Sequence, residues 1–317
     1  MFGEDFLKKR FNGEPLPVVL SRIVSAVTSR RFSFLYILLG NRLFQWLSPS
    51  YRRFLEYQNE FTQNFLMKYI QEKFEEFKIR MKENPNLEDK YLIESMFRLV
   101  LKEEENFTLE EVLSNSYILF VAGTDTTGHL LGHIIYLLWK NPKKYEKLME
   151  ELNQSLTIID KMDYDSFKSL EYLNGVIKEA LRMVTPANDV LLRVAIQDHK
   201  LGDLFIKKGT CLYLGLTINS HDPKIFRKPF EFVPERWIKG HELFDNAEEK
   251  DPYSYLPFSA GARNCIGQHL ANLEAKIILT KFLKEFNFVI KIKEPLIWVI
   301  KFLFEPQDPI FAKLIKK

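Results

Sequence analysis

From Leu43 to about Asn84 the chain alternates charged residues with Phe54, Phe61, Phe65, Ile70, Phe74 and Phe77. That spacing is close to the helical period, so it predicts amphipathic helix, in two segments, with the Lys and Glu of residues 68–90 forming a solvated face. Thr108-Leu109-Glu110-Glu111 has the form of a capping box, with Thr108 as N-cap and Glu111 reaching back to it. The apolar stretch after it stops before Asn141-Pro142, because the residue before a proline avoids helical geometry. One long helix over about residues 108–140 is predicted. A second helix, Phe167 to Met183, ends ahead of Pro186. Beyond it the texture changes: Val190–Ala195 and Thr210–Leu214 are short apolar runs separated by Gly202-Asp203 and Lys208-Gly209, which predicts strands in hairpins. Pro223, Pro229, Pro234, Pro252 and Pro257 mark an irregular stretch. Helix resumes after Gly267 and runs to about Phe286, and strand and loop follow to the C-terminus. The chain is therefore mainly α with minor β, and it has no internal repeat or low-complexity tract.

Between Ser116 and Trp139 the only formal charge is Asp125. By length this segment could span a bilayer. Thr124, Asp125, Thr126, Thr127, His129 and His133 crowd its middle, which is costly in lipid. A buried central helix fits better, and a helical membrane protein built around this segment is the minor reading. Composition agrees with a folded globular chain: 317 residues, 46% hydrophobic and 27% charged, enough for one large domain or two ordinary ones. Lys plus Arg is 45 against 42 Asp plus Glu, a net +3, so charge gives no case for a nucleic-acid partner. Two cysteines exclude a disulfide scaffold and a four-cysteine zinc site. Glycine is scarce at 13 and phenylalanine abundant at 27, which suits a large apolar core or pocket. The acidic start Met1-Phe2-Gly3-Glu4-Asp5 lacks the pattern of a secretory signal.

The sharpest chemical feature is Phe258-Ser259-Ala260-Gly261-Ala262-Arg263-Asn264-Cys265-Ile266-Gly267. A lone thiol sits on a glycine-flanked loop that opens into a helix, where the positive helix end and free backbone N–H groups favour a thiolate. Arg263 adds a cation nearby, and Gly261 and Gly267 allow close backbone approach to something flat or bulky. On these residues alone a nucleophile, a metal-ligating thiolate and a buried structural cysteine all stay open. Glu179 and Arg182 stand three apart on one helix face, by themselves a common surface ion pair. His129 and His133 have the spacing of half a metal site but lack a zinc-protease glutamate between them, so packed core histidines are expected. Cys211, in an apolar strand, is expected to be an inert buried thiol, and His269 to face its surroundings.

The cysteine segment resembles the haem-binding loop of the cytochromes P450. Three further segments follow in that family's order. Ala122-Gly123-Thr124-Asp125-Thr126-Thr127 resembles its oxygen-activation motif, Glu179-Ala180-Leu181-Arg182 its Glu-x-x-Arg pair, and Pro234-Glu235-Arg236-Trp237 its Pro-Glu-Arg-aromatic segment. The resemblance runs from about residue 50 to the end. It implies the C-terminal two-thirds of a cytochrome P450 fold, a partial domain over residues 1–317, and a haem-thiolate monooxygenase that inserts one atom of O₂ into an apolar substrate. Cys265 would be the axial thiolate ligand of haem b. Phe258 would shield its sulfur, Gly267 would start the helix beside it, and Arg263 and Arg193 would pair with haem propionates. Thr126 and Asp125 would manage protons in catalysis, with the small Ala122 leaving room above the haem. Glu179, Arg182 and Arg236 would form a buried structural network. The stretches Tyr117–Ala122, Ala187–Leu192 and Phe302–Phe304 would surround the substrate, a fatty acid, sterol or xenobiotic.

The resemblance also implies partners: NADPH-derived electrons delivered by a reductase, and association with the endoplasmic reticulum membrane. Phe2 to Phe6 resembles the end of a helix midway through the family fold. A membrane anchor, the first strands and helices, and a propionate-gripping Trp-x-x-x-Arg helix are therefore expected upstream of this sequence. The competing expectation is a truncated, inactive fragment that keeps the motifs and cannot hold haem.

Overall fold

The computed structural model describes residues 6, 8–31, 34–102, 107–155, 164–187, 191–245, 251–292, 296–300 and 303–317. The chain gathers into two compact units, Met1–Asp125 and Thr126–Lys317.

In the first unit a short hairpin, β1 (Arg10–Phe11) and β2 (Glu14–Pro15), turns at Asn12 and Gly13, both with positive φ. Helix α1 (Leu16–Arg31) follows, then α2 (Phe34–Leu47), broken at Gly40 where φ is 67°. The two helices predicted between Leu43 and Asn84 arrive differently. After α2 ends, Ser48 caps α3 (Pro49–Asn59), a π-helical turn spans Glu60–Leu66, and α4 (Met67–Glu83) continues without an intervening loop. The Thr62 hydroxyl donates to the Gln58 carbonyl inside this wider turn, at 2.9 Å. Phe61, Ile70, Phe74 and Phe77 are buried, so the predicted apolar stripe is the core face. Ile93 and Phe97 of α5 (Leu92–Leu101) join the same cluster. Helix α6 (Leu109–Lys140) opens on the expected capping box: Thr108 N donates to Glu111 Oε2 at 2.6 Å and Glu111 N to Thr108 Oγ1 at 3.3 Å.

The second unit is built on α6 from Thr126 onward, α7 (Pro142–Gln154), α8 (Tyr164–Lys168), α9 (Glu171–Met183) and α10 (Gln268–Glu285). Ile134, Leu148, Val176, Ala180 and Leu279 share its core. The single helix expected from Phe167 to Met183 is interrupted at Ser169–Leu170. There the Asn174 amide donates to the Leu170 carbonyl at 2.7 Å, and Glu151 of α7 accepts from Tyr172 N and Leu173 N at 2.7 and 2.8 Å. A carboxylate from another helix thus caps a new start, and that cap has no local signature.

Short strands complete the unit: β3 (Leu191–Val194) pairs with β6 (Cys211–Leu214), and β4 (His199–Leu201) with β5 (Leu204–Ile206) across Gly202-Asp203. Near the C-terminus β7 (Phe286–Lys291) pairs with β10 (Phe311–Lys316), and β8 (Trp298–Ile300) with β9 (Phe304–Pro306). All pairs are antiparallel. Cys211 is exposed, contrary to the buried thiol expected. Among the described residues its ladder has two strands, and Leu192, Val194, Tyr213 and Leu214 are exposed with it. Among the described residues no helix is long and apolar enough to cross a membrane, so the minor membrane reading of Ser116–Trp139 fails.

The irregular stretch between β6 and α10 is held by a buried charge network. Glu179 and Arg182 are fully buried and Arg236, in a 3₁₀ turn at Pro234–Trp237, is 1% exposed. Arg182 donates to both Glu179 oxygens at 2.9 Å, and Arg236 Nε approaches the same two at 3.1 and 3.0 Å. Trp237 Nε1 and Val233 N complete the carboxylate's shell, each at 2.9 Å. The rest of the Arg182 fork donates to the carbonyls of Ser220, Pro229 and Glu231. Glu235, beside Arg236, accepts from Lys144 and Lys147 of α7 at 2.8–2.9 Å. Burial raises the Glu235 carboxyl, and the two lysines outweigh it, bringing it to about 2 from 4.5.

Two consequences can be measured. A Cβ on Gly175 would meet the Pro234 carbonyl oxygen at 2.6 Å, whereas one on Gly132 would meet nothing within 4 Å. Gly175→Ala should therefore lose about 1–3 kcal/mol in denaturant unfolding, and Gly132→Ala should be neutral or gain a few tenths. Because Glu235 is held down in the folded state, its contribution is fully present above the unfolded value near 4.5 and lost as pH falls towards 2. Glu235→Gln should thus be most destabilised relative to wild type at neutral pH, and the deficit should shrink on acidification. Urea unfolding across that range checks it, and a deficit independent of pH contradicts it.

Candidate functional site

The cysteine loop is stiffened by its own backbone before any side chain is considered. Ser259 takes φ 63° and Gly261 φ 81°, two left-handed positions close together. Ser259 N donates to the Leu256 carbonyl at 3.1 Å, Asn264 N to Gly261 at 3.1 Å, and Cys265 N to Phe258 at 2.9 Å. The last bond closes the loop on itself and places Cys265 against its first residue. Gly267 then takes the N-cap position of α10 with no side chain to cap it, and Ala271 N donates back to its carbonyl at 2.8 Å. A Cβ at Gly267 would lie 3.8 Å from Cys265 Sγ, so the thiol lies against the helix start.

The buried network reaches this loop through two aromatic rings. Trp237, whose indole donates to Glu179, packs on Tyr255 with ring centroids 4.7 Å apart. The Tyr255 hydroxyl donates to the Lys178 carbonyl of α9 at 3.1 Å. The stem of the loop is therefore pinned three residues before Phe258, by the helix that carries Glu179 and Arg182.

Phe258, Cys265 and Gly267 lie against one another in this loop, and Arg263 stands on the same loop two residues before Cys265. Cys265 and Arg263 are exposed, and Ile266 between Cys265 and Gly267 is 88% exposed. Arg263 forms no ion pair among the described residues. Arg193, in β3, is exposed and bonds only the Leu192 carbonyl, at 3.0 Å; nothing described links it to the cysteine loop. This donor set fits haem. One accessible thiol is offered for iron, accessible guanidinium groups match propionate carboxylates, and bare apolar side chains at Ile266 and Leu270 suit a flat apolar macrocycle. His269 is exposed on α10, as expected.

The other expected site residues lie on α6. Ala122, Gly123 and Thr124 are exposed, Asp125 and Thr126 half-buried, and Thr127 buried with a hydroxyl that has no partner among the described residues. Of the expected substrate stretches, residues 188–190 and Phe302 lie outside the described residues, while Ala187, Leu192 and Phe304 lie within them.

Sequence reasoning placed His129 and His133 in the core and missed what they hold. His133 is buried, and its Nδ1 lies 2.7 Å from the Val184 carbonyl. Burial pushes it down from 6.5 to about 4, with His129 adding to the depression and the Val184 carbonyl opposing it. His129 is part-exposed and bonds Glu305, 176 positions away, at 3.1 Å. Among the described residues no cluster of three or more metal-ligating side chains is found. The Lys144–Glu235–Lys147 cluster was also missed; the lysines' spacing on one helix face was its only visible trace.

Comparison with known proteins agrees with this geometry. The family model described as Cytochrome P450 matches residues 3–311. Cytochrome P450 3A2 of Rattus norvegicus is 37% identical over 210 residues, covering 65% of this chain and 40% of that protein. Cytochrome P450 3A16 of Mus musculus is 30% identical over 289 residues, covering 88% of this chain and 55% of that protein. The chain thus spans about half the length of such relatives or less. Among solved structures, the haem domain of cytochrome P450DA superposes with a TM-score of 0.73 at 20% identity, covering 95% of this chain and 60% of that one. That likeness concerns the fold. With the family match extending over nearly all of its residues, and its mainly helical fold shared with that haem domain, this chain belongs to the cytochrome P450 family.

Proposed function

We propose that this chain carries the thiolate side of a haem monooxygenase that inserts one atom of O₂ into an apolar organic substrate. The observation that carries the reading is the exposed Cys265 on a closed, internally bonded loop, backed by the buried Glu179–Arg182–Arg236 network. When bound, haem would supply the oxygen and electron chemistry, with Cys265 as axial ligand. The protein's own contributions follow from its residues. The Cys265 N–H bond to the Phe258 carbonyl fixes the direction from which the sulfur is presented, and the Phe258 ring would shield that sulfur from water once haem is bound. Arg263 would pair with one haem propionate, and Arg193 with the other. Gly267 starts α10 beside the sulfur, where an added Cβ would stand 3.8 Å from it, in ordinary van der Waals contact.

On α6, Thr126 would hold a proton at its hydroxyl and pass it on, with Asp125 as the carboxylate that replenishes it from solvent. The small Ala122 would leave room above the haem. Neither Asp125 nor Thr126 is fully buried, which suits a relay fed by water. The substrate would be apolar, and within the second unit it would face Ala187, Leu192 and Phe304. NADPH-derived electrons would come through a reductase, and the endoplasmic reticulum membrane is the family-based location.

The reduced carbon-monoxide difference spectrum of the purified chain tests the haem assignment: a Soret band at about 450 nm is expected for thiolate ligation, and Cys265→Ala should abolish it. No such band after haem reconstitution would favour the inactive-fragment reading instead. In reconstituted turnover with a reductase, Thr126→Ala should lower product formation by roughly tenfold or more while the 450 nm band persists. Loss of the band in that variant would assign Thr126 to haem binding instead of proton transfer.

A further inference from the structure

The second unit contains a junction that none of the haem motifs uses. His129 and His133 stand one turn apart on α6, their rings 6.2 Å apart. The Val184 carbonyl can only accept, so His133 carries its proton on Nδ1 and leaves Nε2 as a bare acceptor. That Nε2 is buried with no hydrogen bond of ordinary geometry among the described residues, and the Phe304 backbone stands near the ring. The edge of Trp298 meets the His133 ring at 4.9 Å, and Phe304 stacks on Trp298 at 5.2 Å. Both strands of the β8–β9 hairpin are thereby fastened to one histidine. Next to it, His129 Nε2 meets Glu305 Oε2 at 3.1 Å, between side chains only 28% and 24% exposed. The hairpin also reaches the segment that follows α9: Phe304 N donates to the Pro186 carbonyl at 2.7 Å. Val184 and Pro186 are two residues apart, so one short segment is tied to α6 through His133 and to β9 through Phe304.

We propose that His129, His133 and Glu305 are positioning residues for substrate specificity: they clamp the β8–β9 hairpin and the Val184–Ala187 segment into one body on α6. The inference rests on the monooxygenase reading for the word substrate, because Ala187 and Phe304 are described members of the stretches assigned to it. The clamp itself rests only on the contacts above. A shift of either segment must then move the other, and the apolar wall they share changes shape as a unit.

Hydrogen–deuterium exchange on the full chain, with and without haem, tests the coupling. Glu305→Leu should speed exchange in residues 298–306 and 184–187 together by about threefold, and Glu305→Gln, which keeps an acceptor for His129, should restore most of the protection. His133→Phe keeps a ring against Trp298 and removes the donor to Val184, and should speed exchange in 184–187 by about tenfold. In the haem-loaded protein, the dissociation constant of 4-phenylimidazole, read from the Soret shift, should rise about threefold in Glu305→Leu and recover in Glu305→Gln, with the carbon-monoxide band unchanged. Faster exchange confined to the hairpin overturns the proposal, as does faster exchange in both segments with unchanged probe affinity. Absence of the band in wild type would defeat the monooxygenase reading alone, and the exchange result would still decide the clamp.

Discussion

The frame on which the cysteine loop stands is tied together at one carboxylate. Glu179 is fully buried and receives two guanidinium groups, an indole and a backbone N–H. A lone carboxylate in that place would be costly to desolvate, and a lone buried arginine equally so. Once all are present and bonded, the arrangement need not add much net stability. What it supplies is geometry: α9, the 3₁₀ turn at Pro234–Trp237 and the coil around residues 218–233 can meet in only one way that leaves no charge unpaired.

That constraint explains how a long irregular stretch folds without regular secondary structure. A buried coil must find donors for its carbonyl oxygens. Arg182 offers its fork to Ser220, Pro229 and Glu231, and Arg236 reaches Lys228, so side chains supply the bonds that a helix or sheet would otherwise make. Both guanidinium groups also lie within 6 Å of the Phe226 ring. The order imposed there passes by Trp237 and Tyr255 to the loop holding Cys265.

Features that depend on near neighbours in the chain were legible in the sequence. The Thr108–Glu111 capping box, the stop before Pro142, the start of α10 after Gly267 and the β4–β5 turn at Gly202-Asp203 all rest on contacts a few residues apart. The break in front of α9 was not legible, because the carboxylate that caps Tyr172 and Leu173 comes from Glu151 on another helix. The same limit hid the His129–Glu305 contact. Glu179 and Arg182 show both sides of it: their spacing declares a pair, but only the resemblance pointed to Arg236 and so to a buried network. Cys211 misled for a different reason. An apolar strand reads as buried whenever its sheet is assumed to be covered, and a two-stranded ladder leaves that open.

The adjacent pair Glu235 and Arg236 carries the argument one step further. The carboxylate turns to Lys144 and Lys147 on α7, and the guanidinium turns to Glu179 on α9. The turn is therefore keyed to two helices by opposite charges in consecutive positions. A slip of one residue in one direction would set Glu235 against Glu179, two carboxylates that are both buried, and a slip in the other would set Arg236 against Lys144 and Lys147, whose side chains are 23% and 51% exposed. Like charges meeting without solvent cost several kcal/mol, far more than a shifted apolar contact would. The same turn approaches α9 closely at Gly175, where an added Cβ would meet the Pro234 carbonyl oxygen at 2.6 Å. An ion pair of modest net worth can thus fix a register more firmly than packing does, and in this chain the register it fixes is the one that presents the cysteine.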